Sequence, residues 1–191
     1  MKKKLAVLFP GLGYHTDKPL LYYSKKLARQ EKYEIVEVVY GKMPANVKGN
    51  PPKMKEAFLT ALQYAEEQLK SIDFASFEEV LFISKSVGTA VAVAYAEEKG
   101  ISVGQILVTP LAETFQVVNG DGQIFKRAVA FHGTADPWAD TKAVRTACEK
   151  CGVTLYLTEG ANHSMETGNV QTDLLICKDI MEKVSTFLSP Q

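Results

Sequence analysis

Short apolar runs alternate along the whole chain with longer segments in which apolar residues recur at helical spacing. The short runs end at glycine, proline or polar clusters, which is typical of β-strands. Strands that alternate with helices in this way favour a parallel sheet with helices on both faces. We therefore predict an α/β fold, a three-layer sandwich around a six-stranded, mostly parallel sheet. The predicted strands cover residues 4–9, 34–40, 79–84, 104–109, 127–132 and 153–158.

Two of the predicted helices begin with residues that favour a helix N-terminus. Asp17 precedes Lys18 and Pro19, which combines a capping side chain with an early proline. Asn50 precedes two prolines in the same way, and the helix that follows carries apolar residues at helical spacing. We expect those apolar residues to cover one face of the sheet. They are Met54, Phe58, Ala61, Leu62, Ala65 and Leu69.

Three further helices are predicted later in the chain. One covers residues 90–98 and ends at Lys99-Gly100, because glycine favours a helix C-terminus. The next follows Asp140, whose side chain can cap it. The last runs over about residues 170–188. Its predicted apolar side consists of Leu174, Leu175, Ile180, Met181, Val184 and Leu188.

Residues 111–125 interrupt the alternation of strands and helices. Asn119-Gly120-Asp121-Gly122 separates two short apolar pieces, Val117-Val118 and Ile124-Phe125, which is typical of a turn and compatible with a small hairpin. The segment follows the C-terminal end of a predicted strand, so it could cover a site there as a lid. A surface excursion without a role explains the pattern equally well.

Composition places the chain among ordinary globular proteins. Its 191 residues suit a single domain, 46% of them are hydrophobic, and Lys plus Arg equals Asp plus Glu at 22 each. The balanced charge indicates no bulk preference for nucleic acid or an anionic membrane, and no apolar run approaches the length of a membrane span. The start of the chain superficially resembles a signal peptide, but its apolar run before Pro10 is too short, so we predict a first strand.

Three cysteines, Cys148, Cys151 and Cys177, form an odd set, which favours reduced thiols in a cytoplasmic protein. Cys148 and Cys151 have the C-x-x-C spacing of metal and redox sites. No second cysteine pair and no histidine lies near them in the sequence. They also fall late in a predicted helix rather than at its start, where a thiolate would be stabilised. We therefore predict neither a metal nor a cofactor.

The stretch over residues 80–90 is an apolar strand that runs directly into a turn of small residues and then into an alanine-rich helix. A serine in such a turn has its hydroxyl thrust outward, and the first N–H groups of the helix point at whatever it attacks. The residues two before and two after the serine must be small, and around Ser86 they are Ser84 and Gly88. Centring the pattern on Ser84 would place Phe82 at the crowded position. Taken alone, the pattern also suits an ordinary strand-to-helix loop.

Two further strands are followed by polar residues that suit a catalytic site. Asp136 comes after the fifth predicted strand, and His163 comes after the sixth. The carboxyl ends of parallel strands meet at one edge of a sheet, where such folds bind their ligands. The order Ser86, Asp136, His163 is the chain order of nucleophile, acid and base in one of the known serine hydrolase arrangements.

With these residues in place, the chain resembles a small serine hydrolase of the α/β-hydrolase superfamily over essentially its whole length. The resemblance implies the strand order 2-1-3-4-5-6 and the absence of the first two antiparallel strands of the full-length fold. It also implies that the loop after the first strand faces the Ser86 turn. Ser84 replaces the first glycine of the Gly-x-Ser-x-Gly motif, a departure that keeps the position small.

The chemistry of serine hydrolysis assigns a role to each of these side chains. Ser86 would be the nucleophile, His163 the base that takes its proton, and Asp136 the carboxylate that orients the imidazole. An oxyanion hole of backbone N–H groups is also required, with one donor from the turn and one from the glycine-rich loop after the first strand. The expected donors are Val87 and either Leu12 or Gly13.

Neighbouring residues compete for these roles or could shape a pocket. His132 is more typical of a buried histidine, and His15 could shape the pocket from the oxyanion loop. Asp140 is the rival acid, but Asp140-Thr141 is typical of a helix cap. Lys85 could favour anionic acyl groups or simply be solvated. The possible pocket residues are Gly11, Tyr14, His15, Lys85 and Trp138.

We thus expect a hydrolase that cleaves an ester or a related small acyl substrate through an acyl-enzyme intermediate. Thioesterase, peptidase and acyltransferase activities share the triad and stay open. The alternative hypothesis is a non-catalytic domain of the same fold that binds a ligand or a partner protein.

Overall fold

The computed structural model describes residues 3–118 and 123–189. Its strands are β1 (Lys4–Phe9), β2 (Tyr33–Glu37), β3 (Glu79–Lys85), β4 (Gly104–Val108), β5 (Ala128–Gly133) and β6 (Thr154–Thr158). They form one six-stranded sheet in the order β2-β1-β3-β4-β5-β6. Every neighbouring pair is parallel. The predicted fold class and strand order are confirmed.

The α-helices of the described residues are α1 (Pro19–Gln30), α2 (Pro51–Leu69), α3 (Val87–Lys99), α4 (Thr141–Cys151) and α5 (Val170–Leu188). One hydrophobic core lies where α2, α3 and α4 pack on the sheet, and it includes Ala61 and Val144. A second core lies on the opposite face under α1 and α5, and it includes Leu21 and Ile180. The sheet is therefore buried on both faces, as a parallel sheet requires. None of the helices in the described ranges combines the length and the apolar composition that a membrane crossing would need.

The strand register brings two chain segments together at the carboxyl edge of the sheet. β1 lies between β2 and β3, and Phe9 at its end pairs with Ser84 near the end of β3. The chain order of the strands reverses at this point, which opens a crevice between the loops that follow β1 and β3. The loop after β1 and the turn after β3 consequently face each other, as the resemblance implied.

Three predicted helix-end signals are confirmed. The Asn50 side chain accepts a hydrogen bond from the Lys53 N–H at 3.2 Å at the start of α2. The Asp140 side chain accepts one from the Ala143 N–H at 2.8 Å at the start of α4. Gly100 ends α3 in the left-handed conformation, with a φ of 60°. Local sequence therefore determines these helix ends.

The predicted capping role of Asp17 is wrong. The residue before α1 is Lys18, and its side chain makes no capping hydrogen bond. The Asp17 carboxylate instead lies 3.4 Å from the ammonium of Lys25, a buried lysine that also binds Glu37 at 2.9 Å. An ion pair with Lys25 on α1, which also binds Glu37 of β2, has replaced the local cap.

Strand β2 ends three residues earlier than predicted, at Glu37. Beyond it, the side-chain amide of Gln68 accepts from the N–H of Val39 and donates to its C=O, both at 2.9 Å. This glutamine on α2 satisfies the backbone groups that a longer strand would have paired. The strand signal in the sequence therefore continues past the point where the sheet stops.

The predicted apolar side of α5 is only partly buried. Ile180, Val184 and Leu188 are buried, whereas Leu174 and Leu175 are 61% and 67% exposed. Apolar spacing predicts which side of a helix faces a core, but it does not tell how far along the helix the core extends.

Residues 111–125 form no hairpin in their described parts. Ala112–Phe115 and Gln123–Phe125 are short 3₁₀ helices, and the rings of Phe115 and Phe125 pack 5.4 Å apart. The predicted turn over residues 119–122 lies outside the described residues. Aromatic packing, rather than cross-strand pairing, holds the two described flanks together.

Candidate active site

The turn between β3 and α3 consists of one residue, Ser86, in an unusual backbone conformation. Its φ is 57° and its ψ is −127°, a region that residues with a side chain rarely occupy. The Ser86 N–H donates to the Val108 C=O at 3.0 Å, and the Ser86 C=O accepts from the Thr89 N–H at 2.8 Å. Strained backbone of this kind clusters at functional sites because the surrounding structure must hold it in place.

Close packing around the turn explains why its neighbours are small. A Cβ on Gly88 would overlap the carbonyl oxygens of Phe9 and Pro10, so β1 is what restricts this position. A Cβ on Gly11 would lie 3.2 Å from the Cβ of Ser86. Ser84 is fully buried, and its hydroxyl donates to the Ile106 C=O at 3.3 Å. Serine in place of the first motif glycine is therefore accommodated by a hydrogen bond to β4.

Ser86, His163 and Asp136 form a continuous chain of hydrogen bonds. His163 Nε2 lies 2.7 Å from Ser86 Oγ, and His163 Nδ1 lies 2.7 Å from Asp136 Oδ2. The other carboxylate oxygen of Asp136 accepts from the backbone N–H of Trp138 at 2.8 Å. The structure thus brings together three residues that follow β3, β5 and β6.

The direction of proton donation follows from the state of Asp136. Burial raises the pKa of its carboxyl group, but hydrogen bonds from His163 and the Trp138 N–H outweigh burial and leave that pKa below its usual value. An ionised carboxylate can only accept, so His163 carries its hydrogen on Nδ1. His163 Nε2 is then free to accept the hydroxyl proton of Ser86.

The His163 imidazole is held neutral and oriented. Burial lowers the pKa of His163, the hydrogen bond to Asp136 raises it, the charge of Lys85 lowers it, and the net pKa is below the usual value for histidine. Its ring packs against that of Trp138, with centroids 5.6 Å apart. The side chain of Asn162 stiffens the loop by accepting from the Ser164 N–H at 2.7 Å. A neutral imidazole in a fixed orientation is what a general base at neutral pH requires.

A cavity of about 260 Å³ opens at Ser86 and His163. Of the residues predicted to shape a pocket or an oxyanion hole, it is lined by Gly11, Leu12, Gly13, Tyr14, Lys85, Val87 and Trp138. The sequence did not identify the remaining wall residues, which are Val47, Met54, Ala57, Leu111 and Ser164. They come from the segments after β2 and β4, from α2 and from the His163 loop, where no local motif marks a wall residue.

The loop after β1 presents its tip to this cavity. Gly11 and Tyr14 exchange backbone hydrogen bonds at 3.1 Å and 3.3 Å, so Leu12 and Gly13 form the tip of a tight turn. Val87, across the crevice, is the first residue of α3. The first N–H groups of an α-helix have no acceptor within the helix, so the Val87 N–H makes no hydrogen bond inside α3.

Three other predicted residues lie outside the cavity or serve different contacts. The His15 side chain is 68% exposed and lies 4.0 Å from Asp17, so it does not shape the pocket as expected. His132 is fully buried, with Nε2 3.3 Å from the Thr141 hydroxyl and Nδ1 3.7 Å from Asp136. Asp140 caps α4.

The cysteine pair on α4 shows no sign of activation. Burial raises the pKa of the Cys148 thiol to about 12 and also raises that of Cys151. Both thiols are free. In the described ranges, no cluster of three or more His, Cys, Asp or Glu side chains is arranged to hold a metal ion.

No protein-family model matches the chain, and no curated protein matches it by sequence. Solved structures, however, are similar to it. An esterase from Pyrococcus furiosus matches with a TM-score of 0.66 and 14% identity, over 98% of this chain and 82% of its own. A serine hydrolase without lid from Xanthomonas campestris matches with a TM-score of 0.60 and 13% identity, over 100% and 85%. An α/β serine hydrolase homologue from Coxiella burnetii matches with a TM-score of 0.57 and 14% identity, over 93% and 84%.

At these identities the similarity is one of fold, and it extends over nearly the whole chain. In this chain the fold consists of six parallel strands in the order β2-β1-β3-β4-β5-β6. The chain therefore has the α/β-hydrolase fold.

Proposed function

We propose that this protein is a serine hydrolase that cleaves a small ester or related acyl substrate. The observation that carries the proposal is the hydrogen-bonded chain from Ser86 Oγ through His163 to Asp136, with 2.7 Å at both links. The fold, shared with esterases and serine hydrolases of solved structure, supports the same reaction class.

The proposed reaction begins with attack by Ser86 Oγ on the acyl carbon while His163 Nε2 takes the hydroxyl proton. The new imidazolium is stabilised by the Asp136 carboxylate, which accepts from Nδ1. The imidazolium then donates its proton to the leaving alcohol, and an acyl-enzyme remains on Ser86. Water activated by His163 releases the acid and regenerates the serine.

The negative charge that forms on the substrate oxygen needs fixed donors. Val87 and the Leu12-Gly13 tip both line the cavity, and their backbone N–H groups are the proposed donors. Backbone donors on a helix start and a tight turn do not need to reorganise as the charge develops. These positions support an oxyanion hole between the two loops.

The cavity favours small, uncharged groups. Its volume of about 260 Å³ lies just below the range of pockets that hold drug-sized ligands. Apolar side chains of Val47, Met54 and Leu111 form much of its wall. An acyl or alcohol group of a few carbons fits this description better than a long chain or a peptide.

A fluorophosphonate probe followed by mass spectrometry tests the proposal. We expect one adduct, on Ser86, that is absent in Ser86→Ala and formed roughly ten-thousandfold more slowly in Asp136→Asn, because the asparagine amide donates to His163 Nδ1 and favours the wrong imidazole tautomer. Asp140→Asn is the matched control, since asparagine also caps a helix, and it should be labelled like the wild type. p-Nitrophenyl acetate should be cleaved faster than the dodecanoate.

An unlabelled wild-type protein would contradict the proposed activity and would favour a non-catalytic ligand-binding domain. Equal labelling of Asp136→Asn and Asp140→Asn would contradict the assignment of the acid.

A further inference from the structure

Lys85 is a buried cation directly beside the nucleophile. It is the last residue of β3, and its side chain has no exposed surface. It forms no ion pair with a carboxylate within the described ranges. A charge in such a place is unfavourable unless other groups compensate for the lost water. The function proposed above does not account for it.

The Lys85 ammonium contacts three loops of the candidate site. It donates to the hydroxyl of Thr109, just after β4, and to the backbone C=O of His163 at 2.6 Å. It also lies 4.9 Å from the centre of the Tyr14 ring, within range of a cation–π contact. Tyr14 belongs to the turn that presents Leu12 and Gly13. One ammonium group therefore contacts the loop of His163, the turn of Tyr14 and the residue that follows β4.

The backbone of Thr109 is a second observation that supports a specific role for its contact with Lys85. Its φ is 44°, a left-handed conformation that is exceptional for a β-branched residue. Its N–H donates to the Phe131 C=O at 2.7 Å, and its side chain is fully buried. Strain of this kind persists only where the surrounding structure imposes it, and here it turns the hydroxyl toward Lys85.

We propose that Lys85 is a positioning residue that holds the His163 loop and the Tyr14 turn in place around Ser86. This inference rests on the proposed hydrolase function. It replaces the expectation that Lys85 selects anionic acyl groups, because its ammonium is bound to Thr109 and His163.

The charge of Lys85 also bears on the protonation of His163. Asp136 and Glu166 are the negative groups that face the ammonium, and they only partly offset its burial. On the histidine side, Lys85 and Lys48 lower the pKa of His163, and Asp136 raises it. Neutral, buried Tyr14, whose pKa is raised to about 12, and His132, whose pKa is lowered, complete the surroundings. Removing the lysine charge should therefore raise the pKa of His163.

Lys85→Met tests the proposal, with p-nitrophenyl acetate as substrate. We expect kcat to fall roughly 10- to 100-fold with little change in KM, because the base is no longer held in line. The acid limb of the kcat/KM profile should move to higher pH by about half a unit or more. A merely structural role would not move that limb. Lys85→Gln, which keeps an N–H donor but no charge, should show the same pH shift even if the methionine variant folds poorly.

Lys25→Met is the matched control. Lys25 is also a buried lysine, but it lies on α1 and binds Glu37 and Asp17. Its loss should lower stability and leave the rate and the pH profile as in the wild type. Wild-type rates and pH profiles in both Lys85 variants would overturn the positioning role. A wild-type protein that neither hydrolyses the ester nor reacts with the fluorophosphonate would instead overturn the proposed function.

Discussion

Ser86 keeps its strained backbone because neighbouring groups leave it no alternative. Its N–H is bound to Val108 at 3.0 Å, and Gly11 packs against its Cβ. A conformation of this type costs about 1–3 kcal/mol, which the packing of β1 and β4 around the turn must offset. The hydroxyl is thereby fixed toward His163 Nε2, 2.7 Å away.

Gly88→Ala should disturb this arrangement. The added methyl group would overlap the carbonyl oxygens of Phe9 and Pro10, neither of which can move without shifting β1. We expect a loss of about 1–3 kcal/mol in the free energy of unfolding, measured by urea titration, together with slower labelling of Ser86.

Gly13→Ala is the stability control for this prediction. A Cβ at Gly13 meets no atom within 4 Å, so its stability should change by less than about 0.5 kcal/mol. Equal stability of the two alanine variants would show that the turn relaxes freely and that Gly88 is not required.

Ser86 and its neighbour Lys85 differ in how far local sequence predicts them. Ser86 was identifiable because its turn is a local pattern of strand, small residues and helix. The environment of Lys85 was not, since its partners Thr109 and His163 lie 24 and 78 positions away in the chain. Local sequence favours a solvated lysine beside a serine, and only the loops folded over it bury the ammonium.

Helix α5 carries exposed apolar residues near its start and buried apolar residues farther along. Leu175 is 67% exposed, whereas Ile180 is 1% exposed on the same helix. Ile180→Ala should lower the free energy of unfolding by about 2–5 kcal/mol, because it leaves a cavity in the core under α1 and α5. Leu175→Ala should change it by about 0.5 kcal/mol or less.

Thermal or urea unfolding of the two variants checks this prediction. Equal losses would mean that the first half of α5 is packed against another part of the protein in solution. The comparison is internal to one helix, so helix propensity contributes similarly to both substitutions.

At the scale of elements, the sequence predicted existence and order better than ends. All six strands form where alternation placed them, and α2, α3 and α4 begin or end at the predicted caps. Asp17 deviates because Lys25 on α1 pairs with its carboxylate, and the end of β2 deviates because Gln68 on α2 binds the backbone of Val39. Residues 111–118 deviate because buried aromatic contacts favour 3₁₀ turns over a hairpin.

The contribution of Lys85 to the stability of the whole molecule should grow with rising pH. Burial lowers the pKa of this lysine from 10.5 to about 7 in the folded state. Between these two values the unfolded chain binds more protons than the folded one, so the contribution of Lys85 to the free energy of unfolding rises with pH. The total rise is on the order of a few kcal/mol.

The difference in unfolding free energy between wild type and Lys85→Met isolates this contribution. We expect the unfolding free energy of the wild type to increase relative to that of Lys85→Met from pH 7 to pH 9. Urea titration at fixed ionic strength measures it. Parallel stability curves over that range would show that the lysine is solvated in the folded protein.

The sequence by itself determined the parallel α/β architecture, the strand that precedes Ser86 and the positions of Asp136 and His163 after two later strands. These features follow from apolar periodicity, cap residues and turn chemistry, all of which act within a few residues. Only the tertiary structure decided the 2.7 Å links between the three side chains, the walls of the cavity and the burial of Lys85 beneath the His163 loop. Those features depend on distances and desolvation between residues far apart in the chain, which local patterns do not encode.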